Sequence, residues 1–105
     1  MTVKKIKTAK EAKDIKSDVK QVILFRMKNC IHCKNLKPIW NKAVKRCPQQ
    51  NIVEIEAAYV KFLPYDLNSV AGFPTIIATS SNKKNVEFSN NRTEEDIIAF
   101  IKRYG

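Results

Sequence analysis

Apolar positions in this chain recur with two different periods. Val22-Ile23-Leu24-Phe25 is a continuous apolar run rich in β-branched residues, the pattern of a central strand buried on both faces. Similar short runs at Val3–Ile6, Ile52-Val53-Glu54-Ile55 and Thr75–Thr79 predict further strands. Val86-Glu87-Phe88 alternates as a half-exposed strand does. The helical period appears between them. Leu36, Ile39, Trp40 and Val44 predict a helix from residue 31 to about Cys47. Pro38 inside it predicts a kink, and Pro48 ends it. Thr8-Ala9-Lys10-Glu11 reads as a capping box, with Ala12 and Ile15 on the apolar side. Residues 59–68 read as a short, broken helix or loop, and 80–85 as a polar turn. Thr93 caps a last helix whose first turn holds Glu94, Glu95 and Asp96, where the macrodipole favours acids. Its buried face is Ile97, Ile98, Phe100 and Ile101. The order β-α-β-α-β-α-β-β-α, with no repeat or linker, predicts one α/β domain over residues 1–105.

Composition narrows the class. A chain of 105 residues, 44% hydrophobic with 2 Gly and 4 Pro, is neither disordered nor low-complexity. No window reaches the ~18 apolar residues of a membrane span, so no membrane association is expected. No apolar segment follows the basic start Met1-Thr2-Val3-Lys4-Lys5, and Lys102-Arg103-Tyr104-Gly105 is not a retention signal. These features set the expectation of an intracellular, soluble monomer. The net charge is +10, and it is uneven. Residues 1–50 hold 14 Lys/Arg against Glu11, Asp14 and Asp18, a net of +11, while residues 51–105 net −1. A basic half can draw anionic partners. A solvated lysine surface explains it more simply, and no nucleic-acid signature is present.

Three cysteines change the picture most. An intracellular chain does not rely on structural disulfides. Cys30-Ile31-His32-Cys33 is a C-x-x-C placed between a buried strand and a helix. There the first cysteine meets the free N–H groups and dipole of the helix N-terminus, which favour its thiolate. Cys30 is the candidate nucleophile. Cys33, one turn along, is the candidate resolving thiol that displaces a mixed disulfide. The spacing alone also suits half of a zinc site, but zinc needs more ligands. Cys47 lies 14 residues past Cys33, about 21 Å on a continuous helix. The one histidine, His32, sits between the two thiols. No metal and no cofactor is therefore expected, and Cys47 reads as a passive apolar residue.

Cys30-Ile31-His32-Cys33-Lys34-Asn35-Leu36-Lys37-Pro38-Ile39-Trp40 resembles the active-site helix of protein disulfide isomerase domains, which reads C-G-H-C-K-x-L-x-P-x-[YW]. Val70-Ala71-Gly72-Phe73-Pro74-Thr75 is similar to their V-x-G-[FY]-P-T segment. Arg92-Thr93-Glu94-Glu95-Asp96-Ile97-Ile98-Ala99-Phe100-Ile101 is similar to their closing helix. The resemblance implies a thioredoxin fold, with a mixed central sheet and helices on both faces. It implies a thiol-disulfide oxidoreductase acting on protein thiols or disulfides, with a redox-active Cys30–Cys33 disulfide and an unidentified recycling partner. Pro74 would be a cis-proline facing the dithiol. Phe73 and Pro74 would bind an extended substrate segment by strand addition, beside Ile31. Arg92 matches an arginine that can approach the thiols and tune their pKa. His32 would tune the redox poise, favouring the disulfide isomerase end of a span from about −270 to about −180 mV. The layout is similar to small stand-alone disulfide isomerase-like proteins of large DNA viruses, which sets a cytoplasmic or virion-associated expectation.

Three departures stand out. Disulfide isomerases carry a buried acid six residues before the first cysteine, where this chain has Leu24. Asn29 replaces their tryptophan, and Ile31 their glycine. Loss of the acid puts proton transfer from Cys33 in question, with water, Arg92 or another carboxylate as substitutes. Asn82, Asn85, Asn90 and Asn91 stand in the region of the family's last-hairpin glycines, where asparagine suits left-handed backbone. Two other readings remain. A glutaredoxin-like, glutathione-linked enzyme fits the strand and C-x-x-C, but Gly72-Phe73-Pro74 is not the T-V-P of that family. A non-catalytic thioredoxin-fold module would dock partners on its basic half.

Overall fold

The computed structural model describes residues 3–81 and 83–105. Five strands form one mixed sheet: β1 (Val3–Ile6), β2 (Gln21–Arg26), β3 (Ile52–Glu56), β4 (Thr75–Thr79) and β5 (Val86–Glu87). Their spatial order is β1-β3-β2-β4-β5. β1 and β2 run parallel to β3, while β4 is antiparallel to β2 and to β5. Parallel neighbours need a crossover, and α2 (Ile31–Lys45) provides it between β2 and β3. The remaining helices are α1 (Ala9–Lys13), α3 (Ala57–Val60) and α4 (Glu94–Tyr104), with a 3-10 turn at Tyr65–Leu67.

The helix ends form where side chains satisfy free backbone N–H groups. Thr8 Oγ1 accepts from the Glu11 N–H at 3.1 Å, and Thr93 Oγ1 from the Asp96 N–H at 3.2 Å. The Glu11 carboxylate accepts from the Lys7 N–H at 2.9 Å, one residue before the position a capping box uses. α2 stops at Lys45, two residues earlier than its apolar spacing predicts, and Cys47 lies in the turn beyond. The broken 59–68 segment resolves into the end of α3 and the 3-10 turn.

Strand periodicity divides the core in two. Val22 and Leu24 of β2 and Ile52 of β3 face α2 and α4, packing with Leu36, Trp40 and Ile97. Ile23 and Phe25 of β2, with Val53 and Ile55 of β3, face the other way, toward Ala12, Ile15, Val60 and Leu67. Glu54 shares the parity of Ile52, so it lies on the α2 face of the central sheet and is 5% exposed. The strand pattern anticipated its position but not a buried acid there.

The asparagines depart from expectation. Asn29, just before the dithiol, has φ of 59° and is the one positive-φ non-glycine among the described residues. Asn85, Asn90 and Asn91 adopt no such backbone, and Asn82 lies outside the described residues. The left-handed step is needed at the strand-to-helix corner, where Asn tolerates it better than bulkier residues.

Candidate active site

The site forms where β2 runs into α2. Cys30 is the N-cap of α2, with extended φ and ψ, so its side chain lies against the first turn. The Cys33 N–H donates to Cys30 Sγ at 3.3 Å. Cys30 Sγ–H in turn faces the Phe73 carbonyl at 3.7 Å. All three cysteines are free thiols, with Cys30 and Cys33 half-buried and Cys47 buried.

Position makes the two active-site thiols unlike. The Cys33 side chain and backbone N–H, then the His32 N–H and the charge of Arg92, hold the Cys30 thiol below its usual range. Burial, and then the hydrogen bond with Cys30, push Cys33 above its own. Burial also raises Cys47, which packs in the α2–α4 core at 1% exposure. A helix-end thiol kept protonated in an apolar wall is a poor nucleophile.

The loop before β4 closes the site from the other side. The Phe73–Pro74 peptide is cis, and Pro74 is buried. The Thr75 hydroxyl donates to the Gly72 carbonyl at 2.7 Å, tying this loop together. Arg92 lies before α4 and reaches back, with Nη2 donating to the Pro74 carbonyl at 3.5 Å. The structure thus brings Cys30, Cys33, Phe73, Pro74 and Arg92 together, though Arg92 is far from the others in sequence. His32 and Ile31 point outward on the first turn, and Ile31 is 62% exposed. Met27 is another exposed apolar side chain beside the dithiol.

A cavity of about 610 Å³ opens beside the thiols. Cys30, Cys33 and Pro74 form one part of its wall, and Arg26, Trp40 and Glu54 another. Leu24 pairs with Glu54 in the β2–β3 register, and Arg26 with Glu56. All four share one parity, so a charged cluster stands beside Leu24, where the sequence shows no acid. Trp40 Nε1 donates to Glu54 Oε2 at 3.1 Å. Arg26 is 3.9 Å from Glu54 Oε1 through Nη1 and 3.5 Å from Glu56 Oε1 through Nε. Sequence reasoning missed Glu54. The available signal was one acid breaking an apolar strand, at a position of core parity. Among the described residues no group of three or more His, Cys, Asp or Glu is arranged to hold a metal.

Known proteins share this fold. The Thioredoxin family model matches residues 2–103. A protein disulfide-isomerase of Medicago sativa is 34% identical over 90 residues, covering 84% of this chain and 18% of that protein. Human protein disulfide-isomerase A4 is 36% identical over 96 residues, covering 87% of this chain and 15% of that one. The chain therefore spans less than a fifth of the length of these relatives. Among solved structures, the J-Trx1 fragment of ERdj5 superposes with a TM-score of 0.79 at 18% identity, covering 97% of this chain and 51% of that one. A C-x-x-C at the start of α2, a mixed five-stranded sheet and relatives of this kind place the chain in the thioredoxin family of thiol-disulfide oxidoreductases, as a protein disulfide isomerase-like domain.

Proposed function

We propose that this domain exchanges disulfides with protein substrates through Cys30 and Cys33. One observation carries the reading: the two thiols share a helix start, yet their environments drive their pKa values apart. A lowered thiol carries more thiolate at a given pH and attacks, whereas a raised one stays protonated longer and waits in reserve. Cys30 Sγ attacks a substrate disulfide, forming a Cys30–substrate bond and expelling the other substrate sulfur as a thiolate. Cys33, deprotonated, then attacks Cys30 Sγ. The Cys30–Cys33 bond forms, the mixed disulfide breaks, and the substrate leaves reduced. Run backwards, the same steps oxidise a substrate dithiol.

The Phe73 backbone beside Pro74 supports an extended substrate segment by strand addition. The exposed side chains of Ile31 and Met27 offer apolar contact beside the dithiol. Arg92 favours the Cys30 thiolate by its charge. His32 sets the poise toward the disulfide isomerase end of the range, about −180 mV rather than about −270 mV.

The test is reduction of insulin and refolding of a scrambled disulfide protein, with Cys30→Ser as the control. Turnover by the wild type and background rates for the variant are expected. Equal rates would remove the proposal.

A further inference from the structure

Cys33 must lose a proton before it can resolve the mixed disulfide. Its surroundings oppose that, because burial favours the neutral thiol. Some group has to receive the proton. β2 offers none at Leu24, which is apolar and 4% exposed.

The neighbouring strand does. Glu54 is 5% exposed and lines the cavity beside Leu24, Leu36 and Trp40. Burying a carboxylate is costly unless its partners compensate. Its partners are few. Trp40 supplies one neutral N–H at 3.1 Å, and Arg26 stands at 3.9 Å, beyond hydrogen-bond distance. Arg26 is also shared, since its Nε faces Glu56 Oε1 at 3.5 Å. That Nε is the one buried side-chain polar atom among the described residues with no hydrogen bond. One guanidinium thus serves two carboxylates.

The geometry places this carboxylate on the dithiol cavity. Cys33, Leu36 and Trp40 follow at i, i+3 and i+7 along α2, one stripe facing the sheet. Helical side chains lean toward the helix N-terminus, so the indole of Trp40 reaches back toward Cys33. It holds Glu54 in the same cavity that Cys33 lines, with room for bridging water.

We infer that Glu54, on β3, is the proton acceptor for Cys33, replacing an acid that β2 lacks. This rests on the exchange reaction proposed above. During resolution the Cys33 proton passes through cavity water to the Glu54 carboxylate. The Cys33 thiolate attacks Cys30 Sγ, and the substrate sulfur leaves as a thiolate. The proton then returns from Glu54 to solvent or to the departing sulfur. Electrons move only between sulfurs, from the Cys30–Cys33 pair to the substrate disulfide.

Reaction of the reduced protein with 5,5′-dithiobis(2-nitrobenzoate) separates the two steps. The first thionitrobenzoate released reports attack by Cys30, and the second reports attack by Cys33 on the mixed disulfide. Glu54→Gln keeps an oxygen to accept from Trp40. It is expected to leave the first release near wild type and to slow the second by ~10-fold or more near neutral pH. Glu54→Asp should restore much of the second rate. The other charged groups lining the cavity are Arg26 and Lys28 from β2 and its loop, Lys34 and Lys37 from α2, and Glu56 from β3. Glu56→Gln is therefore run beside Glu54→Gln, and a loss confined to Glu56→Gln would overturn the assignment. So would an unchanged second release in Glu54→Gln. Should Glu54→Gln fail to fold, the wild-type pH profile decides. Internal transfer conserves the proton count and gives a plateau for the second release below the Cys33 thiol range. A rate rising about tenfold per pH unit throughout would rule out an internal acceptor. Absence of the first release in wild-type protein would instead defeat the exchange reaction itself.

Discussion

β2 meets a buried polar side chain near each of its ends, Gln21 of its own and Glu54 of β3, and the two ends behave differently. At its start, Gln21 pairs in register with Thr79 of β4. Gln21 Nε2 donates to the Lys16 carbonyl at 2.6 Å and to Thr79 Oγ1 at 3.1 Å. Thr79 Oγ1 donates to the Val19 carbonyl at 2.6 Å. The groups are neutral, and their bonds are spent on joining the sheet to the loop before β2. At its other end, Arg26 meets Glu54 and Glu56 with longer contacts, a stranded Nε and an adjoining cavity. A closed neutral network is a structural joint. A charged one with capacity left over, beside a thiol that must give up a proton, is suited to chemistry. Burial alone does not distinguish them, since Gln21 and Glu54 are each 5% exposed. What distinguishes them is how completely their partners use them.

Four variants test that division, in order of falling effect. Cys30→Ser should bring insulin reduction to background while thermal unfolding moves little, because the side chain is half-buried and hardly changed in size. Trp40→Phe removes the Nε1–H that Glu54 accepts and leaves a small void. It should cost roughly 2–3 kcal/mol in urea unfolding. It should also slow the second thionitrobenzoate release, joining stability to chemistry at this end. Thr79→Val breaks the opposite network. Expected here is a loss of about 1 kcal/mol with unchanged exchange kinetics, and a kinetic defect would erase the contrast between the ends. Arg92→Gln is the mildest. The arginine charge stabilises the Cys30 thiolate, so its loss raises the thiol pKa and lowers the thiolate fraction at any pH below it. Iodoacetamide should then alkylate Cys30 more slowly at neutral pH, with the profile displaced toward higher pH. Coincident profiles for the two proteins would mean Arg92 does not act on the thiol.

Much of this molecule is legible from residues that act locally. Runs of β-branched residues, Thr8 and Thr93 before their helices, and the period of Leu36, Trp40 and Val44 define elements through neighbours a few positions away. The dithiol belongs with them, since the consequences of C-x-x-C at a strand–helix junction follow from helix-end electrostatics. The asparagines near the last hairpin suggested left-handed backbone, yet that conformation occurs at Asn29. A permissive residue marks where such a turn is tolerated, while the path of the chain decides where it is used.

The amino-acid sequence by itself determined the elements, their order, the division of the core by strand parity, and the unequal roles available to Cys30 and Cys33. Only the tertiary structure decided which distant residues share the site. Arg92 reaches Pro74 because α4 begins beside the β4 loop. Glu54 faces the dithiol cavity because β3 pairs in parallel with β2 in the register that sets it opposite Leu24. Read along the chain, Leu24 is a missing acid and Glu54 an oddity in an apolar strand. Across the sheet they are neighbours, because strands lie about 4.8 Å apart whatever their separation in sequence.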